Sequence, residues 1–271
     1  MPLSSIQLEA FYAIARSGSF LSASKTIGLS QPALSQRINN LEHELGCRVF
    51  TRDAAGTKLT DIGERLLRYC KMQFNLEDEF LNEIKGDNKG FSGVIRVGGF
   101  STVMRSRVLP KLDELISENP GVRIESFTRE LRELVPLLRK GEIDFAVLDH
   151  QLEGCESKEL EAEFYVLIKR AKGNERNDVF LDHDPEDKTT LRFLGLKKAP
   201  RRSFLDNIEE ILYGVSRGWG RAVVPRHLIE GRKDLIEVKD FRPMRSSVFL
   251  NFYGEPFPSK LQTAIVQALR E

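Results

Sequence analysis

The sequence predicts an all-α N-terminal part that carries a small wing and runs on into a long helix, followed by an α/β C-terminal part. Three observations carry this. Residues 4–60 set apolar side chains at helical spacing between short capped turns, residues 61–84 sustain an apolar repeat with no breaker, and from Ser92 onward short apolar strands alternate with helices. The length of 271 residues fits about two domains, and 41% hydrophobic content is enough to bury a core. Lysine and arginine number 41 against 40 acids, a net charge of +1. That balance excludes a polybasic tail or an acidic solvating segment, so any nucleic-acid surface is local.

Leu8, Phe11, Tyr12 and Ala15 share one face of a first helix, which Ser17-Gly18-Ser19 breaks while offering a cap to the next. That second helix runs from Phe20 to about Ile27, and Gly28-Leu29-Ser30 turns the chain. Ser30 caps a third helix with Gln31 and Pro32 in its first turn, where proline sacrifices no intrahelical donor. It continues through Leu34, Ile38, Leu41 and Leu45 to Gly46. Two helices joined by a short turn containing glycine form the helix-turn-helix pattern. Residues 48–52 and 58–60 then read as two strands around a small-residue turn, a wing beside the third helix. From Thr60 and Asp61 a long helix reaches about Ile84. Ile62, Leu66, Tyr69, Gln73, Leu76 and Phe80 are spaced four and three apart, and Leu67, Cys70, Phe74, Leu81 and Ile84 form a second line. Two apolar lines on one helix predict a dimer seam.

The C-terminal part reads as a strand at 94–98, a helix at 103–118 containing Pro110, a strand at 122–127, a helix at 130–140 and a strand at 144–148. A second run follows: strands at 164–168 and 179–181, a helix at 185–194, a strand at 202–204, a helix at 206–217 and a strand at 222–224. Strands at 235–238 and 247–253 precede a closing helix at 259–270. The alternation predicts parallel βαβ units.

Catalytic patterns are weak. Gly99-Phe100-Ser101-Thr102-Val103 fails the nucleophile-elbow pattern at its last position, and Gly214, Gly218 and Gly220 do not form a dinucleotide loop. Asp182-His183-Asp184 with Glu186 and Asp187 could hold a cation or transfer protons, but at a strand-to-helix junction beside Pro185 it reads better as a helix cap. Cys47, Cys70 and Cys155 are odd in number and widely spaced, which predicts buried thiols in a reducing compartment rather than disulfides. His43, His150, His183 and His227 show no ligand spacing, so neither a metal nor a cofactor is expected, and no catalytic residue is assigned. The longest uncharged run, Thr26 to Gln36, is 11 residues, too short to cross a bilayer. The first residues lack a secretory pattern, so the expected location is cytoplasmic.

On the third helix, Gln31, Ser35 and Gln36 occupy the N-terminal half, with Arg37 and Asn39 beyond. Glutamine and arginine can bond purine edges bidentately, and serine usually holds phosphate. Through Thr60 six basic residues oppose four acidic ones, so a salt-dependent contribution to DNA affinity should be modest.

Leu8, Phe11, Gly18-Ser19-Phe20, Ala23, Ser30-Gln31-Pro32-Ala33-Leu34-Ser35, Leu41-Glu42, Leu45-Gly46, Val49-Phe50, Leu59-Thr60 and Gly63-Glu64 resemble the N-terminal module of LysR-type transcriptional regulators. The rest resembles that family's effector domain more loosely, in Ile95-Arg96-Val97-Gly98, Val108-Leu109-Pro110, residues 141–146, Gly218-Trp219-Gly220 and Val224-Pro225. The resemblance implies three parts: a winged helix-turn-helix at 1–60, a linker and dimerisation helix with a hinge at 61–90, and an effector-binding domain at 91–271. The last would be two-lobed and periplasmic-binding-protein-like, with lobe 1 at about 91–163 and 241–271 and lobe 2 at about 164–240. It also implies a homodimer through the linker helix, in most members a homotetramer, acting on double-stranded promoter DNA and a small-molecule effector.

Carried across by motif, Gln31, Pro32, Ser35 and Arg37 fall on the recognition helix and Arg52 on the wing; Gln36 from the helix reading and Lys58 on the wing complete the expected DNA-binding residues. The tip, Asp53-Ala54-Ala55-Gly56, departs from the basic residue family members often place there. For the effector, residues just past strand ends are expected to line a cleft: Phe100, Ser101, Thr102, Thr128, Arg129, Asp149, Phe204 and Asn207. Arg105, Arg129 and Arg201 favour a carboxylate-bearing effector. Lobe 2 is short for the family around 172–177. The competing expectation is a cytosolic small-molecule sensor that acts through a protein partner without reading a DNA site.

Overall fold

The computed structural model describes residues 3–53, 56–84, 90, 92–129, 131–197, 201–254 and 258–270. Helix α1 (Ser5–Ser17), α2 (Phe20–Thr26) and α3 (Gln31–Leu45) come first, then strands β1 (Phe50–Asp53) and β2 (Gly56–Leu59), then α4 (Asp61–Ile84). The capping logic is local. Ser19 and Ser30 accept the N–H groups of Ser22 and Ala33, and Gly46 closes α3 by returning its N–H to the carbonyls of Glu42 and His43. β1 and β2 pair antiparallel, Phe50 opposite Leu59.

Phe11, Ile14, Phe20, Leu34, Ile38, Leu41, Val49 and Phe50 meet in one core, joined from α4 by Leu66, Leu67 and Cys70. The Phe50 ring centre lies 5.2 Å from Phe11 and 5.9 Å from Phe20. Each such buried side chain contributes about 1.5–3 kcal/mol. Thr60 fastens the start of α4: its hydroxyl donates to the Arg48 carbonyl (2.8 Å) and accepts from the Gly63 N–H (3.0 Å). At Gly63 a Cβ would lie 2.1 Å from the Val49 carbonyl oxygen, so only glycine lets the helix pass this close.

The α/β part contains β3 (Ser92–Gly99), α5 (Ser101–Val103), a π-helical turn (Met104–Val108), α6 (Leu109–Glu118), β4 (Gly121–Thr128), α7 (Leu131–Arg139), β5 (Phe145–Leu148), β6 (Glu156–Glu159), β7 (Glu163–Arg170) and β8 (Val179–Asp182). After these come α8 (Thr189–Leu194), β9 (Arg201–Phe204), α9 (Ile208–Ser216), β10 (Ala222–Pro225), a 3-10 turn (Arg226–Ile229), β11 (Leu235–Glu237), β12 (Met244–Ser246), β13 (Phe249–Phe252) and α10 (Lys260–Arg270). A five-stranded sheet has the order β4-β3-β5-β13-β6, in which β3 pairs parallel with β4 and β5. By contacts the chain divides into two compact units, one of residues 1–99, 113–146 and 252–268, the other of residues 100–112, 147–251 and 269–271.

Four differences from the sequence expectations have physical causes. The single helix expected at 103–118 is broken by the π-helical turn, because Pro110 has no N–H to return to the Ser106 carbonyl. The helix expected from 185 starts only at Thr189, because the Asp184 carboxylate takes the N–H groups of Glu186 and Asp187 in a turn. The second sheet is antiparallel where parallel units were expected: β7 pairs with β10, β11 and β12, while parallel pairing in that half joins β8 to β9. Short strands β6 and β12 and the 3-10 turn carry too few apolar residues to signal themselves. Of the three cysteines only Cys70 is buried; Cys47 and Cys155 are partly exposed. Burial pushes the Cys70 thiol up to about 12.

Candidate DNA-binding and effector sites

The first half of α3 turns polar atoms outward. Gln31, Pro32 and Gln36 are exposed, Ser35 and Arg37 half-buried, while Leu34, Ile38 and Leu41 on the other face are in the core. Gln36 donates to the Asn40 side chain one turn on (2.9 Å). What steadies this face lies behind it: Glu42 Oε1 accepts the backbone N–H groups of Val49 (2.8 Å) and Phe50 (3.3 Å), pinning the entry to the wing against α3. Charge-assisted bonds of this kind are about twice as strong as neutral ones. Sequence reading gave Glu42 no such role. Its spacing of seven and eight residues ahead of an apolar strand start is the only trace it leaves. On the wing, Lys58 is exposed on β2; Arg52 lies in β1 and its side chain is outside the described residues, as are Ala54 and Ala55 of the tip.

α4 changes character along its length. Leu66, Leu67 and Cys70 are buried in the N-terminal core, whereas Leu76, Phe80, Leu81 and Ile84 are exposed, Phe80 at 61% and Ile84 at 66%. Among the expected seam residues, Tyr69 and Phe74 are exposed to the same 37% as Leu76, with Phe74 edge-on to Tyr12 at 4.9 Å.

The expected effector residues are divided between the two units. Thr128 and Arg129 fall in the first, both exposed, with Arg129 Nη1 donating to the Thr128 carbonyl (2.8 Å). In the second, Ser101 is exposed at the start of α5, Thr102 is buried, and Phe100 precedes them half-buried. Asp149 is 2.7 Å from His150 Nδ1, and Phe204 is 43% exposed with the Arg202 guanidinium 5.0 Å from its ring centre. Asn207 caps α9, accepting from the Glu210 N–H (2.9 Å) and donating to the Glu210 carboxylate (2.7 Å). Of the three arginines expected to favour a carboxylate, Arg105 is paired with Glu209 (2.8 Å) and Arg201 with Asp178 (3.1 Å). Only Arg129 among them bonds a neutral acceptor.

Two buried charge clusters in the second unit were not anticipated in these roles. Asp182 bonds Arg202 and the Thr190 hydroxyl, and Arg202 also donates to the carbonyls of Asp184, Pro185 and Asp187. This part of the acidic cluster is therefore a structural clasp. Glu163, at the start of β7, has a fully buried side chain; Oε1 accepts from Arg107 Nε (3.2 Å) and Oε2 lies 3.3 Å from His227 Nδ1. A cavity of about 720 Å³ in the first unit is lined by none of the expected effector residues.

A model for the bacterial regulatory helix-turn-helix of the lysR family matches residues 6–64, and the LysR substrate binding domain matches residues 88–168. The transcriptional regulator BudR of Klebsiella aerogenes is 30% identical over 138 residues, 51% of this chain and 96% of BudR. The chain belongs to the LysR family of transcriptional regulators. The HTH-type transcriptional regulator YofA of Bacillus subtilis is 25% identical over 235 residues, covering 83% of this chain and 82% of YofA. The fold agrees over nearly the whole length with two solved structures. Full-length LysG from Corynebacterium glutamicum, with bound effector Arg, gives a TM-score of 0.80 at 20% identity over 98% of this chain and 96% of LysG. ArgP from Mycobacterium tuberculosis gives 0.80 at 19% identity over 99% and 97%. The architecture of this LysR-family protein is thus an N-terminal helix-turn-helix followed by a substrate-binding domain of mixed α/β sheets. No described helix is long and apolar enough to cross a membrane.

Proposed function

We propose that this LysR-family regulator reads a site in double-stranded promoter DNA with the N-terminal half of α3. It acts in the cytoplasm as a homodimer joined through α4 and assembled further into a homotetramer, and its C-terminal domain answers a small carboxylate-bearing effector without catalysing a reaction. The observation that carries the DNA reading is the sidedness of α3: Leu34, Ile38 and Leu41 are in the core while Gln31, Pro32 and Gln36 face out. An amide at Gln31 is of the type that recognises adenine in the major groove, and Gln36 can exchange its bond to Asn40 for a base edge. The dimer reading rests on Leu76, Phe80, Leu81 and Ile84, apolar side chains at seam spacing that are exposed in the single chain.

For the effector, Arg129 supports an anion because, among the described residues, its bond is to a neutral carbonyl. The effector named for LysG, arginine, itself bears a carboxylate. The decisive experiment selects bound fragments from the source genome with the purified protein across a salt series. Enrichment of a few intergenic fragments with an interrupted dyad that survive physiological salt is the expected result. Uniform retention, lost together as salt rises, would mean backbone contacts only and would favour a sensor acting through a protein partner.

A further inference from the structure

The 720 Å³ cavity in the first unit lies within the size range of sites for small organic ligands and is far larger than one inorganic ion fills. One wall is α4, which contributes Arg68, Tyr69, Lys71, Met72 and Asn75; β3, β4, β5, the end of α7 and the start of α10 supply others. Four of its lining side chains are cationic: Arg68, Lys71, Arg96 and Arg123. Among the described residues Asp144 is its only lining acid; it accepts the Arg96 backbone N–H at 2.9 Å and lies 4.0 Å from Arg96 Nη1, so one carboxylate faces four cations.

Among the described residues Arg68 and Lys71 make their hydrogen bonds to neutral acceptors, and the carboxylates of Asp144 and Glu142 offset part of the Lys71 charge. Arg68 donates to the Arg139 carbonyl (2.5 Å) and stacks on the Tyr253 ring, 3.8 Å from its centre. Lys71 donates to the Gly141 carbonyl, and Arg123 has no ion pair among the described residues. A carbonyl or a ring satisfies a donor without neutralising it. Arg96 alone has a close carboxylate outside the cavity lining, Glu125 at 2.9 Å. Burial lowers the Lys71 ammonium and raises the Asp144 carboxyl, as low-dielectric walls require. Between these charges Met72, Leu138, Ile143 and Ile265 supply apolar wall, beside the polar side chains of Asn75, Ser92, Ser259 and Gln262.

We propose that this cavity is a ligand site for an organic anion with an apolar body, an aromatic or branched carboxylate, separate from the residues assigned above to the effector. The proposal does not rest on that assignment. Its cations receive the carboxylate and its apolar lining covers the hydrocarbon, so occupancy joins α4 to the strands of the same unit.

The test uses the full-length protein and 2-naphthoate as probe, followed by calorimetry and by amide hydrogen exchange. Saturable binding is expected, with slowed exchange at residues 68–75 and 138–145. The neutral isostere 2-naphthamide should bind at least about tenfold more weakly, and Lys71→Met and Arg123→Gln should each lose about tenfold. Unchanged thermal melting of the two variants shows that they fold, and the exchange map locates the ligand without any substitution. The proposal is overturned if 2-naphthoate does not saturate, if the amide binds equally well, or if protection falls only outside these segments.

Discussion

The N-terminal winged helix and the second α/β unit use polar side chains in opposite ways. In the winged helix the charged group that matters to the fold, Glu42, grips backbone N–H groups from one side of α3, and the exposed amides of Gln31 and Gln36 are left facing out. In the second unit ionisable groups meet one another inside: Asp182 pairs with Arg202 and Glu163 with Arg107, with the His227 ring 3.3 Å from the Glu163 carboxylate. A DNA-reading surface can stand on one helix and keep its side chains outward. A small-molecule sensor must bring residues from several strand ends together, and it needs internal clasps to hold those ends.

The largest effect should come from opening such a clasp. The side chains of Arg202 and Asp182 are 9% and 3% exposed. Replacing Arg202 by methionine keeps much of the bulk but leaves the Asp182 carboxylate buried without its cation, and three loop carbonyls lose their donor. The expected destabilisation is about 3–5 kcal/mol. Trp219, the only tryptophan, lies in this unit, so its fluorescence during urea unfolding reads the change directly. An unchanged midpoint would mean the pair does not hold the unit together.

The winged helix should respond less and more locally. Glu42→Ala leaves the Val49 and Phe50 N–H groups unmet, at a cost of about 2 kcal/mol, whereas Glu42→Gln keeps an acceptor oxygen and should lose about half as much. Amide exchange across β1 resolves the two variants. If both behave alike, the bonds matter less than the packing around them. On the outward face, Gln31→Ala should weaken binding to the selected DNA site about tenfold while leaving thermal melting unchanged. Loss of stability together with binding would place Gln31 in the fold rather than at the interface.

The same contrast explains what was legible in the sequence. Helices α1 to α4 were readable within a residue or two, because their caps, Ser19, Ser30 and Gly46, act on neighbours three or four positions away. The outward-facing residues of α3 were readable because i and i+4 share a helix face. The strands β6 and β12 were not, since Glu156–Glu159 and Met244–Ser246 are held by partners far along the chain and bear little apolar pattern. The antiparallel second sheet escaped for the same reason: β7 chooses β10, β11 and β12 through tertiary pairing, and a local alternation of strand and helix does not encode that choice. Reading Arg105 and Arg201 as available for a ligand missed Glu209 and Asp178, 104 and 23 residues away. The helix end capped by Asn207 was visible in sequence; whether its side chain served the cap or a ligand was not, and here its oxygen holds the Glu210 N–H.

The smallest effect isolates burial from pairing. Arg105 and Glu209 form the same kind of ion pair as Arg202 and Asp182, in the same unit, at 2.8 Å. Their side chains are 75% and 61% exposed, so water screens the attraction and both ends remain hydrated when the pair is broken. Arg105→Ala and Glu209→Ala should each shift the Trp219 unfolding transition by less than about 1 kcal/mol, with a coupling energy near 0.5 kcal/mol in the double-mutant cycle. In 1 M salt, where the screening length falls to about 3 Å, that coupling should vanish, while the Arg202→Met loss should persist because salt does not reach a buried pair. A coupling above about 2 kcal/mol would mean that the Arg105 pair is shielded from water in solution, and the difference between the two pairs would then have to come from the loop carbonyls around Arg202 rather than from burial.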